Sequence, residues 1–377
     1  MGTWLSWRNT FHNRRRCLAA TAGISFAILL VFMEVGFLDA ARLNAALLYK
    51  GLNFDLAIVS RGYVSAERTL PVNPFRILQS RNVPGIASAV PLWIDGAHWM
   101  NRRNRSLRSC RVIGVEPGDR VFRDAQIDRR LSRIKSPDSA LVDRLSSRKY
   151  GPWAAGSTVI IGDVPLTVAG TFAMGTGLIS DGGVIVSRET FDRITGRDDN
   201  NGFDVGLLRV KKGYDPAALV RAVKAALPAD VLVLSRNALI RREQFYWVNV
   251  KPVGIMFRVG ALVAFLIGAV ILYQVLSLEI GNRLNEFATM KALGYPQRRI
   301  YRVGVEQALI FSMLGYIPAF LLATGLYRII FDLSRLPLFM QPGRALLVLA
   351  MTLVMCAIAA FLALRKLRRA DPAALFS

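Results

Sequence analysis

Acid, cysteine and histidine are scarce in this chain of 377 residues. Its 26 Asp and Glu face 49 Lys and Arg, a formal net charge of +23, and it has only three cysteines and two histidines. The carboxylates are scattered singly, which gives no support to paired acid–base chemistry. No G-x-x-x-x-G-K-[ST] loop is present, so the chain has no ATP site of that kind. The glycines of Gly175-Thr176-Gly177 and Gly182-Gly183 lack the strand-to-helix setting of a dinucleotide site and read as a loop that can contact a partner. A basic balance invites a nucleic-acid reading, but much of the charge sits at the edges of apolar runs, where a bilayer explains it.

Long apolar runs are missing from residues 39–252 and concentrated elsewhere. Four runs stand out, at 17–38, 253–276, 303–329 and 344–364. Each reaches the roughly 20 residues that a helix needs to cross about 30 Å of hydrocarbon. The composition is 53% hydrophobic yet 20% charged. That combination fits membrane spans plus one polar domain. The first run exceeds the roughly 7–15 residues of a signal-peptide core, so an uncleaved span is expected. The flanks set the orientation. Arg8, Arg14, Arg15 and Arg16 precede span one, Arg283, Lys291, Arg298, Arg299 and Arg302 lie between spans two and three, and Arg365, Lys366, Arg368 and Arg369 follow span four. The positive-inside rule places all three groups in the cytoplasm. The expected order is a cytoplasmic interfacial helix (1–16), the first span, an outward domain (39–252), the second span, a cytoplasmic segment (277–302), the third span, a short outer loop (330–343), the fourth span and a cytoplasmic tail (365–377).

That topology settles the scarce residues. Cys17 and Cys356 belong to spans and only Cys110 to the outward domain, so that domain has no internal disulfide. Cys110 alternates with Leu107 and Val112 in a strand-like run and reads as buried filler. His12 and His98 fall on opposite sides of the membrane and cannot share a metal.

The outward domain reads as mixed α+β. Strands are expected at 55–59, 87–93, 107–115, 183–186, 204–210 and 231–234, and helices at 74–82, 189–194, 216–227 and 237–247. Residues 158–161 and 165–172 form a hairpin around Gly162-Asp163. Ser187 and Asp215 are expected helix caps, with Pro216 in a first turn that needs no N–H from it.

Few polar groups enter the spans. Glu34 and Arg258 lie about one turn and a turn and a half inside the outer ends of spans one and two. At about 1.5 Å per residue their depths match within a few ångströms. Either they pair, which would reduce the cost of burying each charge, or each snorkels separately to the headgroups. Trp4, Trp7 and Phe11 share one face of the interfacial helix, and Phe245, Tyr246 and Trp247 are expected to form an aromatic belt outside span two. Pro318 is expected to kink span three.

The clearest motif follows span two: Glu286-Phe287-Ala288-Thr289-Met290-Lys291-Ala292-Leu293-Gly294-Tyr295-Pro296. Phe287, Met290 and Leu293 repeat every three residues, Glu286 and Lys291 flank them, and Gly294 with Pro296 would stop the helix. This is either a solvated connecting helix or a short lever that docks into another protein.

The motif, followed by Arg299-Ile300 and Glu306, resembles that of FtsX-like permeases of ABC transporters, the superfamily of MacB, LolC, LolE and FtsX. The closest resemblance is to DevC, the permease of DevBCA exporters. It extends to Ala22-Gly23-Ile24-Ser25-Phe26-Ala27, Gly36-Phe37-Leu38-Asp39-Ala40, Leu272-Tyr273-Gln274, Gly315-Tyr316-Ile317-Pro318 and the tail from Arg365 to Asp371-Pro372-Ala373. The resemblance implies a non-enzymatic homodimer in the inner membrane with no cofactor of its own. It implies a separate DevA-like ATPase, a DevB-like periplasmic adaptor (membrane fusion protein), a TolC-like outer-membrane duct, surrounding lipids, and no nucleic-acid partner. Glu286, Phe287, Met290, Lys291, Leu293 and Gly294 would couple to the ATPase, and Asp371 and Pro372 would add a tail contact. Cargo would be lipid-like or periplasmic. The Arg-rich external domain departs from the family pattern. A rival reading is an FtsX-type regulator of a cell-wall hydrolase; a signalling receptor fits less well, because the cytoplasmic parts are too short for an output domain.

Overall fold

The computed structural model describes residues 14–175, 180, 182–197, 202–282, 297–334 and 336–368. The chain divides into two units. One comprises Met1–Asp39, Pro252–Leu333 and Leu338–Ser377, the other Ala40–Lys251 with Ser334–Pro337.

Among the described residues four helices are long and apolar enough to cross a membrane. They are α1 (Arg14–Gly51), α7 (Pro252–Asn282), α8 (Gln297–Ser334) and α9 (Pro342–Arg368), numbered in chain order with shorter helices between the first two. In the membrane unit, glycine lets these helices approach closely. A Cβ on Gly315 would lie 2.5 Å from Ile24, and one on Gly268 would lie 2.6 Å from the Met355 sulfur. Pro318 lies inside α8, which continues through it.

Helix α1 is longer than its apolar run. It continues past Asp39 to Gly51, and Ala40, Ala41, Ala46, Leu48 and Tyr49 of this extension are buried. Average hydropathy loses the helix where Asp39, Arg42 and Asn44 appear, although one side of it stays apolar.

Among the described residues the outer unit is a nine-stranded mixed sheet. Its strands are β1 (Leu56–Ser60), β2 (Ile86–Met100), β3 (Leu107–Val115), β4 (Ser139–Asp143), β5 (Thr158–Ile161), β6 (Val164–Phe172), β7 (Gly183–Ser187), β8 (Val205–Val210) and β9 (Val231–Ser235). The order β3-β7-β4-β6-β5-β2 closes on itself, because β2 also pairs with β3. The other half of β2 belongs to an open sheet, β2-β8-β1-β9. The register divides cleanly: Ile86 to Leu92 face β8, and Trp93 to Met100 face β3.

Both sheet faces are buried, and strand alternation sends neighbours to different cores. Leu56, Ile58, Val112 and Val184 enter one core; Ala57, Val59, Ile113 and Ile185 enter the other. Helices α2 (Phe75–Arg81), α3 (Ala125–Arg130), α4 (Arg188–Thr195), α5 (Pro216–Ala226) and α6 (Arg236–Asn249) complete the unit. Asp215 caps α5 by accepting from the Ala217 and Ala218 N–H groups at 3.0 and 3.1 Å, and Ser187 caps α4 through the Thr190 N–H at 3.3 Å. Gly162 and Asp163 both have positive φ, 55° and 62°. Two such residues match the twist of a two-residue hairpin.

Candidate functional site

The helix that ends the outer unit shows why its side chains face where they do. On α6, Leu239, Glu243, Tyr246 and Trp247 are all buried, and they recur at helical spacing. Tyr246 and Trp247 pack with Ala45 of α1, and Lys251 Nζ lies 5.7 and 5.3 Å from their ring centres. Of the expected aromatic belt only Phe245 is exposed. Tyr246 and Trp247 instead serve the outer unit, because α6 needs an apolar face against the α1 extension.

The same face carries a buried acid among apolar neighbours. The Glu243 carboxylate accepts hydrogen bonds from the Tyr63 hydroxyl and, at 2.8 Å, from the Ala66 N–H. Tyr63 also meets the Tyr49 hydroxyl at 2.5 Å. Burial pushes the Glu243 carboxyl from 4.5 up to about 7, opposed by the bonds from Tyr63 and Ala66. Burial also raises both tyrosines well above their usual value, so their hydroxyls stay protonated. The chain Tyr49–Tyr63–Glu243 therefore joins α1, the segment after β1, and α6. The Arg242 guanidinium adds a bond to the Tyr63 carbonyl at 2.8 Å, and Arg236 bonds the Tyr49 and Lys50 carbonyls at 3.0 and 2.8 Å. A lone Glu four residues after Leu239 and three before Tyr246 was the available sequence signal.

A second cluster lies in the membrane unit. The Arg344 side chain has no solvent exposure; its Nε bonds Asp39 at 3.0 Å and its Nη1 bonds the Phe339 carbonyl at 3.0 Å. Its guanidinium carbon lies 5.2 Å from the Tyr327 ring centre. The Tyr327 hydroxyl donates to the Phe32 carbonyl and occupies the space a side chain on Gly36 would need. One arginine thus gathers spans one, three and four. The lone acid ending span one and the lone arginine opening span four were visible in the sequence without indicating a partner.

Glu34 lies against α7, where a Cβ on Gly260 would be 2.5 Å from its carboxyl carbon. Arg258 stands two residues before Gly260 on the same helix and is exposed. Glu286, Phe287, Met290, Lys291, Leu293 and Gly294 lie outside the described residues, as do Asp371, Pro372, Trp4, Trp7 and Phe11. Of the glycine-rich loop, Gly175 is tethered by its N–H to Asp143 at 2.8 Å, and Thr176 and Gly177 lie outside the described residues. Cys110 is fully buried, and burial raises its thiol far above the range in which it reacts. Among the described residues no group of three His, Cys, Asp or Glu is placed to hold a metal.

Comparison with known proteins gives two adjoining matches. The MacB-like periplasmic core domain family matches residues 18–226, and the FtsX-like permease C-terminal family matches residues 258–372. Two relatives from Mycobacterium tuberculosis, the uncharacterized ABC transporter permeases MT0078 (strain CDC 1551 / Oshkosh) and Rv0072 (strain H37Rv), are each 25% identical over 321 residues. Each alignment covers 82% of this chain and 82% of the relative. Among solved structures, the periplasmic region of MacB from Actinobacillus actinomycetemcomitans aligns over 50% of this chain and 92% of its own, at 10% identity and a TM-score of 0.36. The extracellular domain of the transporter YknZ from Gram-positive bacteria aligns over 48% and 98%, at 12% identity and a TM-score of 0.33. With the MacB-like family spanning more than half its length and the FtsX-like family most of the remainder, the chain belongs to the ABC transporter permeases of the FtsX/MacB type.

Proposed function

We propose that the chain is the permease subunit of a DevBCA/MacB-like exporter and works by transmitting force, with no cargo passing between its spans. A permease of an ABC transporter implies an ATPase partner. In this reading the segment Glu286–Phe287–Met290–Lys291–Leu293–Gly294 docks in a groove of that ATPase, with Asp371-Pro372 as a second contact. Both termini are cytoplasmic, the large domain is periplasmic, and two copies act together. ATP-driven closure of the ATPases tilts the spans and moves the outer domains, which drive an adaptor and an outer-membrane duct. The cargo is lipid-like or periplasmic.

The observation that carries this reading is the Tyr49–Tyr63–Glu243 chain. Helix α1 runs without a break from its apolar run to Tyr49, and α6, which carries Glu243, ends at Asn249, with α7 beginning at Pro252. The chain stretches that enter and leave the outer domain therefore meet at one buried carboxyl group. A flexible linker would dissipate motion; this joint receives it.

Affinity purification of the tagged full chain from detergent-solubilised membranes tests the reading. A separate ATPase recovered with a periplasmic adaptor supports it. An ATPase with a cell-wall hydrolase favours the regulator, and recovery of no ATPase refutes the coupling. In the recovered complex, Phe287→Asp or Gly294→Pro should abolish export while leaving membrane insertion intact, because both lie outside the spans. Normal export from both would remove the lever.

A further inference from the structure

Between β2 and β3 the chain turns through residues 101–106. Arg102, Arg103, Arg105 and Arg108 lie in or beside this turn, with no acid anywhere from Trp99 to Arg111. The turn is built by asparagine. Asn101 accepts the Arg103 N–H at 2.9 Å through its side chain and donates to the Lys149 carbonyl at 3.0 Å; Asn104 accepts the Ser106 N–H at 3.1 Å. Arg105 has φ 55° and its N–H bonds the Asn101 carbonyl at 2.8 Å. Backbone and asparagine thus hold the tip, and its guanidinium groups are not needed for that. Arg102, Arg103 and Arg105 are exposed. Among the described residues none of the three has a carboxylate in ion-pairing range. Elsewhere the same domain pairs Arg76 with Asp230 at 2.9 Å, Arg188 with Asp192 at 2.6 Å, and Arg197 with Asp95 and Asp204 at 2.8 and 2.9 Å.

Beside the tip is a cavity of about 390 Å³ at the short seam of β2 and β5, lined by Trp99, Tyr150, Pro152, Val159, Arg102 and Arg103. Its floor is firm. The Trp99 and Tyr150 rings sit 4.8 Å apart, and the Tyr150 hydroxyl donates to the Ser109 carbonyl at 2.5 Å. Lys149 is exposed nearby, and Leu107 at the start of β3 is 61% exposed.

An apolar recess behind a rim of uncompensated arginines fits one kind of occupant. Gathering like charges at an ordered turn is unfavourable unless something anionic meets them. Guanidinium groups take carboxylates in paired hydrogen bonds, and a recess with apolar walls at Pro152 and Ala154, backed by the buried Trp99 and Tyr150 rings, accepts an apolar anchor. We propose that this hairpin tip and cavity dock an acidic segment of a partner protein, with an apolar side chain seated against the exposed Pro152 and Ala154 and neighbouring carboxylates held by Arg102, Arg103 and Arg105. A bilayer surface is the poorer fit, because Leu107 is the one large apolar side chain exposed beside the tip among the described residues, too little to anchor it.

The test uses the full chain in uncharged detergent micelles and a fluorescein-labelled peptide of alternating Glu and Leu, read by anisotropy. Saturable binding that weakens with salt is expected, with none for the Lys/Leu counterpart. Joint Arg102→Glu, Arg103→Glu and Arg105→Glu substitution should weaken binding at least about tenfold. Ala154→Trp, at an exposed position lining the cavity, should weaken it by a similar factor while leaving the salt dependence in place. No saturable binding, or unchanged affinity in both variants, overturns the proposal. So does tip-dependent binding to phosphatidylglycerol vesicles with none to the peptide. Nucleotide and ATPase are absent from the assay, so its outcome is independent of the coupling proposed above.

Discussion

Glu243→Gln should flatten the pH profile of the outer domain's stability between about pH 4.5 and pH 7. Burial raises the folded-state pKa of Glu243 from 4.5 to about 7. Below pH 4.5 the group is protonated in folded and unfolded chains alike and contributes no pH dependence. Between the two values the unfolded chain releases the proton and the folded chain keeps it, so stability falls as pH rises. Above pH 7 both states are ionised and the loss is complete. At about 1.4 kcal/mol for each pH unit, the separation of the two values amounts to about 3 kcal/mol. Glutamine keeps an oxygen for the Tyr63 and Ala66 donors and carries no charge to desolvate, so it should be free of this loss. Hydrogen exchange on the full chain gives the readout, with the Ala66 amide as the local probe. Corrected for intrinsic exchange, wild-type protection relative to the variant should rise by about two powers of ten as pH falls from 8 to 4.5. Parallel profiles for the two proteins would refute the assignment of Glu243 as a buried acid retained by the joint.

Asp39→Asn should destabilise the membrane unit by about 3 kcal/mol, because it leaves the Arg344 charge buried without its partner. Asp39→Asn with Arg344→Leu should recover most of that; thermal unfolding in detergent of the single and double variants measures the difference. If Glu34 and Arg258 pair, Glu34→Arg with Arg258→Glu should restore the export lost in each single variant; a double variant no better than either single one removes the pair. Gly162→Ala should lower the melting temperature of the outer unit by several degrees. Its Cβ would sit 2.6 Å from the Ile194 carbonyl at a backbone φ of 55°, and an unchanged transition would refute the reading of this turn.

What the sequence disclosed was local. The strand Leu107–Val115 is legible because Leu107, Cys110 and Val112 are spaced among polar residues and the stretch ends in the β-branched pair Val112-Ile113, and the cap at Asp215 because aspartate precedes a proline-led helix. The β5–β6 hairpin is legible because Gly162-Asp163 accepts two positive φ values. Long-range pairing left no such mark. β4 is a five-residue run between a Pro-Asp turn and an arginine, and only its parallel partner β6 and antiparallel partner β7 define it. The second half of β2 contains Asp95 and His98 and looks too polar for a strand until β3 and β5 supply its hydrogen bonds. The site residues divide the same way. The segment proposed to couple is a contiguous string that a sequence can show, whereas Tyr49, Tyr63 and Glu243 are 14 and 180 residues apart and meet only through tertiary packing.

No cut through the outer domain spares both of its sheets. The fifteen residues of β2 serve as a wall of the closed ring and as a member of the open sheet. A fragment that keeps the ring carries a bare edge where β8 should lie, and a fragment that keeps the open sheet opens the ring at its narrowest seam. The two halves therefore share one fate, in synthesis, in proteolysis and in the exchange of modules between relatives.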